Sequence, residues 1–316
     1  MLEAVPNVSE GRDRSVVEAI ARAFGTGATV LDVHVDPDHH RSVFTLVGDR
    51  APLVDALLAG VSTAIARIDL GVHEGVHPRV GIVDVVPLVP LASGEMELAE
   101  DAAREVAARV GSEFGLPVFL YGTIGSARRP AYFRRGGLAT LQGRVETGEL
   151  APDAGPRRID PSRGAVLVGA RQPLVAYNVE LATGDVGVAR EIAAVTRESG
   201  GGMPGVQAIG LYLPSSGRVQ VSMNVVDVER APLHDVIQRV RTEAASRDVA
   251  VSGGELVGLV PESVFAAAGA AGVDMPGVDE SRVLEGAIRS RGLSGKSGAR
   301  SSLRTKRAQD AGRPHT

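Results

Sequence analysis

No cysteine occurs in the 316 residues, so disulfides, thiolate metal sites and cysteine nucleophiles are excluded at once. Tryptophan is also absent and aromatic residues make up 3% of the chain. That is too little for the stacking platforms that hold single-stranded nucleic acid, which is not an expected partner. Lysine appears only as Lys296 and Lys306, so the rest of the chain offers no amine for Schiff-base or lysine-nucleophile chemistry. Long apolar runs are missing as well. Residues 80–91 come nearest, but Asp84, Pro87 and Pro90 interrupt them, well short of the roughly 18 apolar residues of a membrane span. Met1-Leu2-Glu3-Ala4-Val5 has neither the basic nor the apolar region of a secretory signal, so a cytoplasmic protein without a membrane partner is expected.

What is present is enough for a full core: 44% of the residues are hydrophobic, and the length favours two domains or subdomains. Charge is unevenly spread. From Arg289 onward eight Lys or Arg face one acid, Asp310, a net +7 that leaves −11 on the body of a chain whose total is −4. This tail has the Ser/Gly/Arg-rich composition of a disordered segment. Within it Gly292-Leu293-Ser294-Gly295-Lys296-Ser297 resembles a phosphate loop, but Ser290 stands where the first glycine belongs and no strand leads in.

Residues 2–6 read as a strand ending in the polar turn 7–11. Asp13 then caps a helix whose apolar positions Val16, Val17, Ile20, Ala21 and Phe24 follow the 3.6 period. Strands at 29–35 and 42–47, a helix at 51–68 and a strand at 80–87 complete a β-α-β-β-α-β unit. A connecting region follows, with a helix at 96–114 capped by Ser93, a strand at 117–121, an arginine-rich helix at 127–146 and an irregular Pro/Gly segment at 151–164. From 165 the grammar repeats: strand 165–181, helix 186–198, strands 207–213 and 220–228, helix 233–247, strand 249–259. Helices at 261–272 and 279–288 close it. The expected fold is α/β (α+β), with two ferredoxin-like subdomains at 1–164 and 165–288, a basic tail at 289–316, and a site between the sheets or at their loops.

Two loops of the first unit hold or border five of the seven histidines, His34, His39, His40, His73 and His77. Residues 71–81 spell H-E-x-x-H, the pattern of a zinc protease, which needs His73 and His77 one helical turn apart with Glu74 as base. Gly71 and Gly75 disfavour that helix, and Pro78 pushes His77 out of the α region. A different metal hydrolase would use His34, His39 or His40 with Asp36 or Asp38. The alternative is His77 as a proton shuttle, titrating near neutral pH, beside a stiffening Pro78 and an Arg79 suited to a carboxylate. The residues by themselves define a transferase or hydrolase acting on an anionic substrate.

Several blocks carry a resemblance. Ala4-Val5-Pro6-Asn7-Val8-Ser9-Glu10-Gly11, Asp36-Pro37-Asp38-His39-His40-Arg41-Ser42 and Gly75-Val76-His77-Pro78-Arg79-Val80-Gly81 are similar to three blocks of the glutamate formimidoyltransferase (formiminotransferase) family. Pro152-Asp153-Ala154-Gly155-Pro156, Ala176-Tyr177-Asn178, Val206-Gln207-Ala208-Ile209-Gly210 and Glu255-Leu256-Val257-Gly258-Leu259-Val260-Pro261 extend it over residues 2–265. The resemblance implies transfer of a formimino group from N-formimino-L-glutamate to N5 of tetrahydrofolate, a co-substrate rather than a metal cofactor, in a tunnel between facing sheets. It implies His77 as the catalytic histidine and Gly155, Pro156, Arg157, Arg158, Ile159, Asp160, Pro161, Ser162, Arg163 and Gly164 as the folate segment. It implies a homodimer, with no length for the cyclodeaminase domain of animal members. Arg79 and Arg41 are candidates for substrate carboxylates, and Asn7, Asp38, His40 and Asn178 for further substrate contacts. Arg128, Arg129, Arg134 and Arg135, with Arg157, Arg158 and Arg163, could attract a polyglutamated folate. Two positions depart: the family's acid before the histidine is Val76, and its usual asparagine is His40. Other readings are therefore a folate-binding paralogue with another donor, formylglutamate or formiminoglycine, and a metal-dependent formiminoglutamate hydrolase.

Overall fold

The computed structural model describes residues 1–293; residues 294–297 of the phosphate-loop-like stretch and most of the basic tail fall outside them. The first sheet is built from β1 (Leu2–Ala4), β2 (Asn7–Val8), β3 (Thr29–Asp36), β4 (Arg41–Gly48), β5 (Val83–Pro90), β6 (Val118–Gly122) and β7 (Val166–Ala170). β1 and β2 are halves of one strand broken at Pro6, which has no N–H to give the ladder. Both halves pair antiparallel with β4 and β5, and β3 flanks β4. With α1 (Arg14–Phe24) and α2 (Arg50–Ile65) this is the expected β-α-β-β-α-β unit. Asp13 accepts from the backbone N–H groups of Ser15 and Val16, so α1 starts where the sequence places its cap. Its Val16, Val17, Ile20 and Phe24 are buried, each stabilising by about 1.5–3 kcal/mol.

The second sheet has the order β11-β8-β10-β9, all antiparallel, from β8 (Val175–Leu181), β9 (Val206–Leu213), β10 (Arg218–Val225) and β11 (Val251–Val257). Helices α6 (Val186–Thr196) and α7 (Leu233–Ala245) cover one face, giving the second β-α-β-β-α-β unit.

Three sequence readings are corrected. The stretch 165–181 is two strands, and the first of them, β7, lies in the first sheet, parallel to β5 and β6. Its five residues are all buried, the pattern of a strand covered on both faces, and Pro173 helps break the run. The change of subdomain therefore falls at 171–174 rather than at 164. The arginine-rich helix is also two pieces, α4 (Pro130–Arg134) and α5 (Gly137–Glu146), because Gly136 and Gly137 both take left-handed backbone. Helix α3 (Met96–Phe114) spans the expected residues, but Glu95 rather than Ser93 is its N-cap and no side chain caps it.

Helices α1, α2 and α3 bury one face of the first sheet, and α4 and α5 cover part of the other around Phe119 and Phe133. Beyond the second unit, α8 (Glu262–Ala271) joins its core, while Leu284 and Ile288 of α9 (Leu284–Ser290) pack on Val47 of β4. Arg282 reinforces this link between the units, donating to Asp32 at 2.9 Å and to the Gly258 carbonyl at 2.6 Å.

Candidate active site

The loop joining α2 to β5 is irregular, as its glycines and Pro78 require. A single 3-10 turn, Leu70–Val72, is capped by Asp69, and no helix follows. The two histidines of H-E-x-x-H consequently face different partners. His73 stacks on His40 with centroids 3.9 Å apart and reaches the His40 carbonyl through Nε2 at 2.9 Å. His77 turns toward His39, 5.5 Å away. Burial and the Arg79 charge pull His73 down to about 4, so it is neutral at physiological pH. Gly75 makes the loop contact possible, since a Cβ there would lie 2.4 Å from the His39 carbonyl oxygen.

His77 Nδ1 lies 2.8 Å from the Pro78 carbonyl oxygen. A carbonyl only accepts, so Nδ1 carries the hydrogen and Nε2 keeps its lone pair. Part of the residue's surface is open, while protein packs round the rest of the ring. Desolvation, then the charges of Arg41 and Arg134, hold its pKa well below the ordinary imidazole range. The ring is thus neutral, with Nε2 able to accept a hydrogen bond.

Those two arginines belong to a buried charge network. Asp84, fully buried on β5, accepts from Arg41 Nη1 at 2.7 Å, from Arg134 Nη2 at 2.5 Å and from the Val80 N–H at 2.8 Å. Arg41 also donates to Asn7 Oδ1 at 2.9 Å, and burial pulls it down to about 10, still charged at neutral pH. One carboxylate thus balances two guanidiniums, leaving a net positive charge beside His77, while Arg134 Nε is buried with no acceptor among the described residues.

The loop between β3 and β4 carries the site to the second sheet. His39 is buried, its N–H groups at the backbone and Nδ1 both directed at Asp36, 2.8 and 3.2 Å away. Its Nε2 lies 2.6 Å from the Gln220 amide nitrogen on β10, so His39 is a neutral acceptor there. Burial lowers its pKa in agreement. Asp38 accepts from the Ser215 N–H at 3.0 Å and hydroxyl at 2.5 Å. His40 takes left-handed backbone (φ 50°) and places its ring nitrogens 2.9 Å from the Glu74 carbonyl and 3.1 Å from Glu10 Oε1. A cleft of about 340 Å³ opens between this loop and strands β8, β10 and β11.

The sequence candidates divide accordingly. Arg79 is not free for a carboxylate, because it donates to the carbonyls of His73 at 2.7 Å and Gly75 at 3.2 Å and holds the loop shut on itself. Arg41 is likewise engaged by Asp84 and Asn7. Asn178 is buried and donates to Glu255 Oε2 at 3.3 Å in the cleft wall. The four-arginine cluster is not one face: Arg128 lies over the Tyr132 ring, Arg129 pairs with Glu198 at 3.2 Å, and Arg134 points inward.

Residues 155–164 run against both ends of the His77 loop. The Ser162 carbonyl accepts from Leu70 at 2.9 Å, and the Arg163 carbonyl from Ile82 at 3.1 Å. The Arg163 side chain caps the end of α3 at the Phe114 carbonyl, 2.9 Å away, and Asp160 folds a turn on Ser162. Ile159 is buried, whereas Gly155, Pro156, Arg157, Arg158 and Pro161 are exposed. Gly164 sits at φ 74°, and a Cβ there would lie 2.2 Å from the Val80 carbonyl oxygen. Gly164→Ala is expected to destabilise by at least about 1–3 kcal/mol and to lower turnover by moving the loop. A wild-type melting temperature would overturn this.

Asp84, Gln220, Glu10 and Glu255 escaped the sequence reading as site residues, and Arg134 entered it only as one of the four clustered arginines. Only Asp84 left a signal, as the one acid in the otherwise apolar run 80–91.

The candidate site thus joins a desolvated neutral histidine, the arginine charge that depresses its pKa, and a cleft whose wall holds His39 through Asp36 and Gln220. Comparison with known proteins gives the family. Residues 1–171 match the N-terminal subdomain of the formiminotransferase domain and residues 176–296 the formiminotransferase domain that follows it. The glutamate formimidoyltransferase of Thermoplasma acidophilum is 38% identical over 297 residues, 90% of this chain and 96% of the relative. That of Streptococcus pyogenes is 38% identical over 83% of this chain and 89% of its own length. The formimidoyltransferase-cyclodeaminase of Mus musculus is 38% identical over 83% of this chain but only 50% of its own. The chain belongs to the formiminotransferase family.

Proposed function

We propose that the protein transfers the formimino group of N-formimino-L-glutamate to N5 of tetrahydrofolate. The observation that carries this is His77, neutral, with Nε2 unprotonated and the Arg41–Asp84–Arg134 network beneath it. N5 attacks the amidine carbon and its proton passes to His77 Nε2. The tetrahedral intermediate collapses with cleavage of the bond from carbon to the glutamate nitrogen, which takes that proton and leaves as the amine. The 155–164 segment and the inter-sheet cleft together supply the folate tunnel.

In this donor the α-carboxylate is two bonds from the nitrogen that leaves, so its partner must adjoin the histidine. Arg41 and Arg134 both bear on His77 and both donate to Asp84, but among the described residues only Arg134 keeps an Nε without an acceptor, and it takes this role in place of Arg79 and Arg41. Arg134→Gln is expected to raise KM for formiminoglutamate roughly 10- to 100-fold while leaving KM for tetrahydrofolate within about threefold. Equal rises for both substrates would sink the assignment.

The function itself is tested by incubating the protein with tetrahydrofolate and formiminoglutamate and following glutamate release and the 5-formimino product. Formylglutamate and formiminoglycine are the rival donors, since Val76 and His40 both lie in the site loops. Folate binding without transfer from any donor would identify a binding paralogue. Folate-independent release of glutamate would identify a hydrolase.

A further inference from the structure

The inter-sheet cleft is lined by Asp36, Asp38, Glu180 and Glu255, with no lysine or arginine among its lining residues. Three of these acids are already engaged: Asp36 by His39, Asp38 by Ser215, and Glu180 by Arg218 at 3.0 Å. Glu255 is different. Its side chain is 49% exposed, Oε2 receives a single amide hydrogen from Asn178, and Oε1 stands 3.5 Å from His34 Nε2, which has no hydrogen-bond partner among the described residues. Among the described residues no guanidinium pairs with it. A carboxylate fixed at one oxygen and open to a cavity selects a flat partner that offers two parallel N–H donors.

We propose that Glu255 is the residue that recognises the pyrimidine edge of the folate, receiving the N3–H and the 2-amino group of the pteridine on its two oxygens. The proposal rests on the folate reading given above. A volume of about 340 Å³ has room for the bicyclic head group. The cleft wall also includes Gln220 and Asp36, the two residues that hold His39, and the His39 ring faces His77. A pteridine seated on Glu255 therefore has the histidines on its far side, where N5 reacts. Carboxylates line the cleft, and the arginine charge lies outside it, around His77.

A divalent cation is the competing occupant, since one ligand atom each from His34, Asp36 and Glu255 lies within 4.8 Å of the others. Both Asp36 oxygens, however, already serve His39, and a metal would have to break that hold and release the ring from its orientation.

The test is E255Q, which keeps the shape and turns one acceptor into a donor that opposes N3–H. KM for tetrahydrofolate is expected to rise on the order of thirtyfold or more, with kcat at saturating folate and KM for formiminoglutamate within about threefold. A 2-desamino tetrahydrofolate should lose a similar factor with the wild type and little with E255Q. Glu255→Asp, which shortens the reach but keeps the charge, should fall between. Wild-type folate KM in E255Q, beside an active wild-type enzyme, overturns the subsite and leaves the transfer reading standing. An inactive wild type overturns the transfer reading itself. Micromolar Zn²⁺ or Mn²⁺ binding by calorimetry that E255Q abolishes, with activity lost to a chelator, overturns the subsite in favour of a metal.

Discussion

His77→Gln is expected to lower kcat by about 10²- to 10⁴-fold, the usual contribution of a positioned general base, while tetrahydrofolate still binds. Glutamine keeps a polar side chain of similar reach but has no nitrogen that can take a proton at neutral pH. The pH dependence gives a second readout. Burial and the Arg41 and Arg134 charges depress the His77 pKa, so in the free enzyme the base stays neutral as pH falls through the ordinary imidazole range, and kcat/KM should hold there. A bound donor carboxylate cancels the surplus positive charge and lets the pKa climb. The acid limb of kcat should therefore lie at higher pH than that of kcat/KM. Near wild-type turnover in His77→Gln, or coincident acid limbs, would remove His77 from the mechanism.

The parts of the fold legible in the sequence are those set by local periodicity. Val16, Val17, Ile20 and Phe24 lie on one face of α1, and the alternation of Val219, Val221, Met223 and Val225 with polar residues gives β10 a buried side. The sheet that β7 joins was not legible, because Val166 to Ala170 are apolar on both faces and nothing local distinguishes a last strand of one sheet from a first strand of the next. The same limit governs the site. The irregular loop was legible because Gly75 and Pro78 disfavour the helix that H-E-x-x-H would need. Arg79 misled because adjacency in sequence suggested a shared ligand, whereas the turn points its guanidinium back at the loop's own carbonyls. Arg134 and Arg135 are neighbours of identical type, and only the packing of α4 sends one to Asp84 and leaves the other exposed. His40 has a local account after the fact: φ of 50° suits asparagine, and a histidine accepts it here by stacking on His73 and pairing with Glu10.

Asp84→Asn is expected to cost about 3–5 kcal/mol of stability, because it leaves two buried guanidiniums without a counter-charge. At roughly 2–4 °C per kcal/mol for a chain of this size, melting should fall by about 6–20 °C. The carboxylate has a depressed pKa despite full burial, held down by Arg134 and Arg41. Its stabilisation is therefore present above the ordinary aspartate range and is lost as pH falls through and below it, a loss the variant should not show. Removing one of the stranded charges should help: Asp84→Asn with Arg134→Gln is expected to melt above Asp84→Asn alone, a coupling that separate sites would not produce. Stability restored in this way should not restore turnover, since the double variant lacks the guanidinium assigned to the donor. A double variant no more stable than Asp84→Asn would mean that Arg134 is relieved by solvent rather than by Asp84, and the surplus charge beneath His77 would lose its basis.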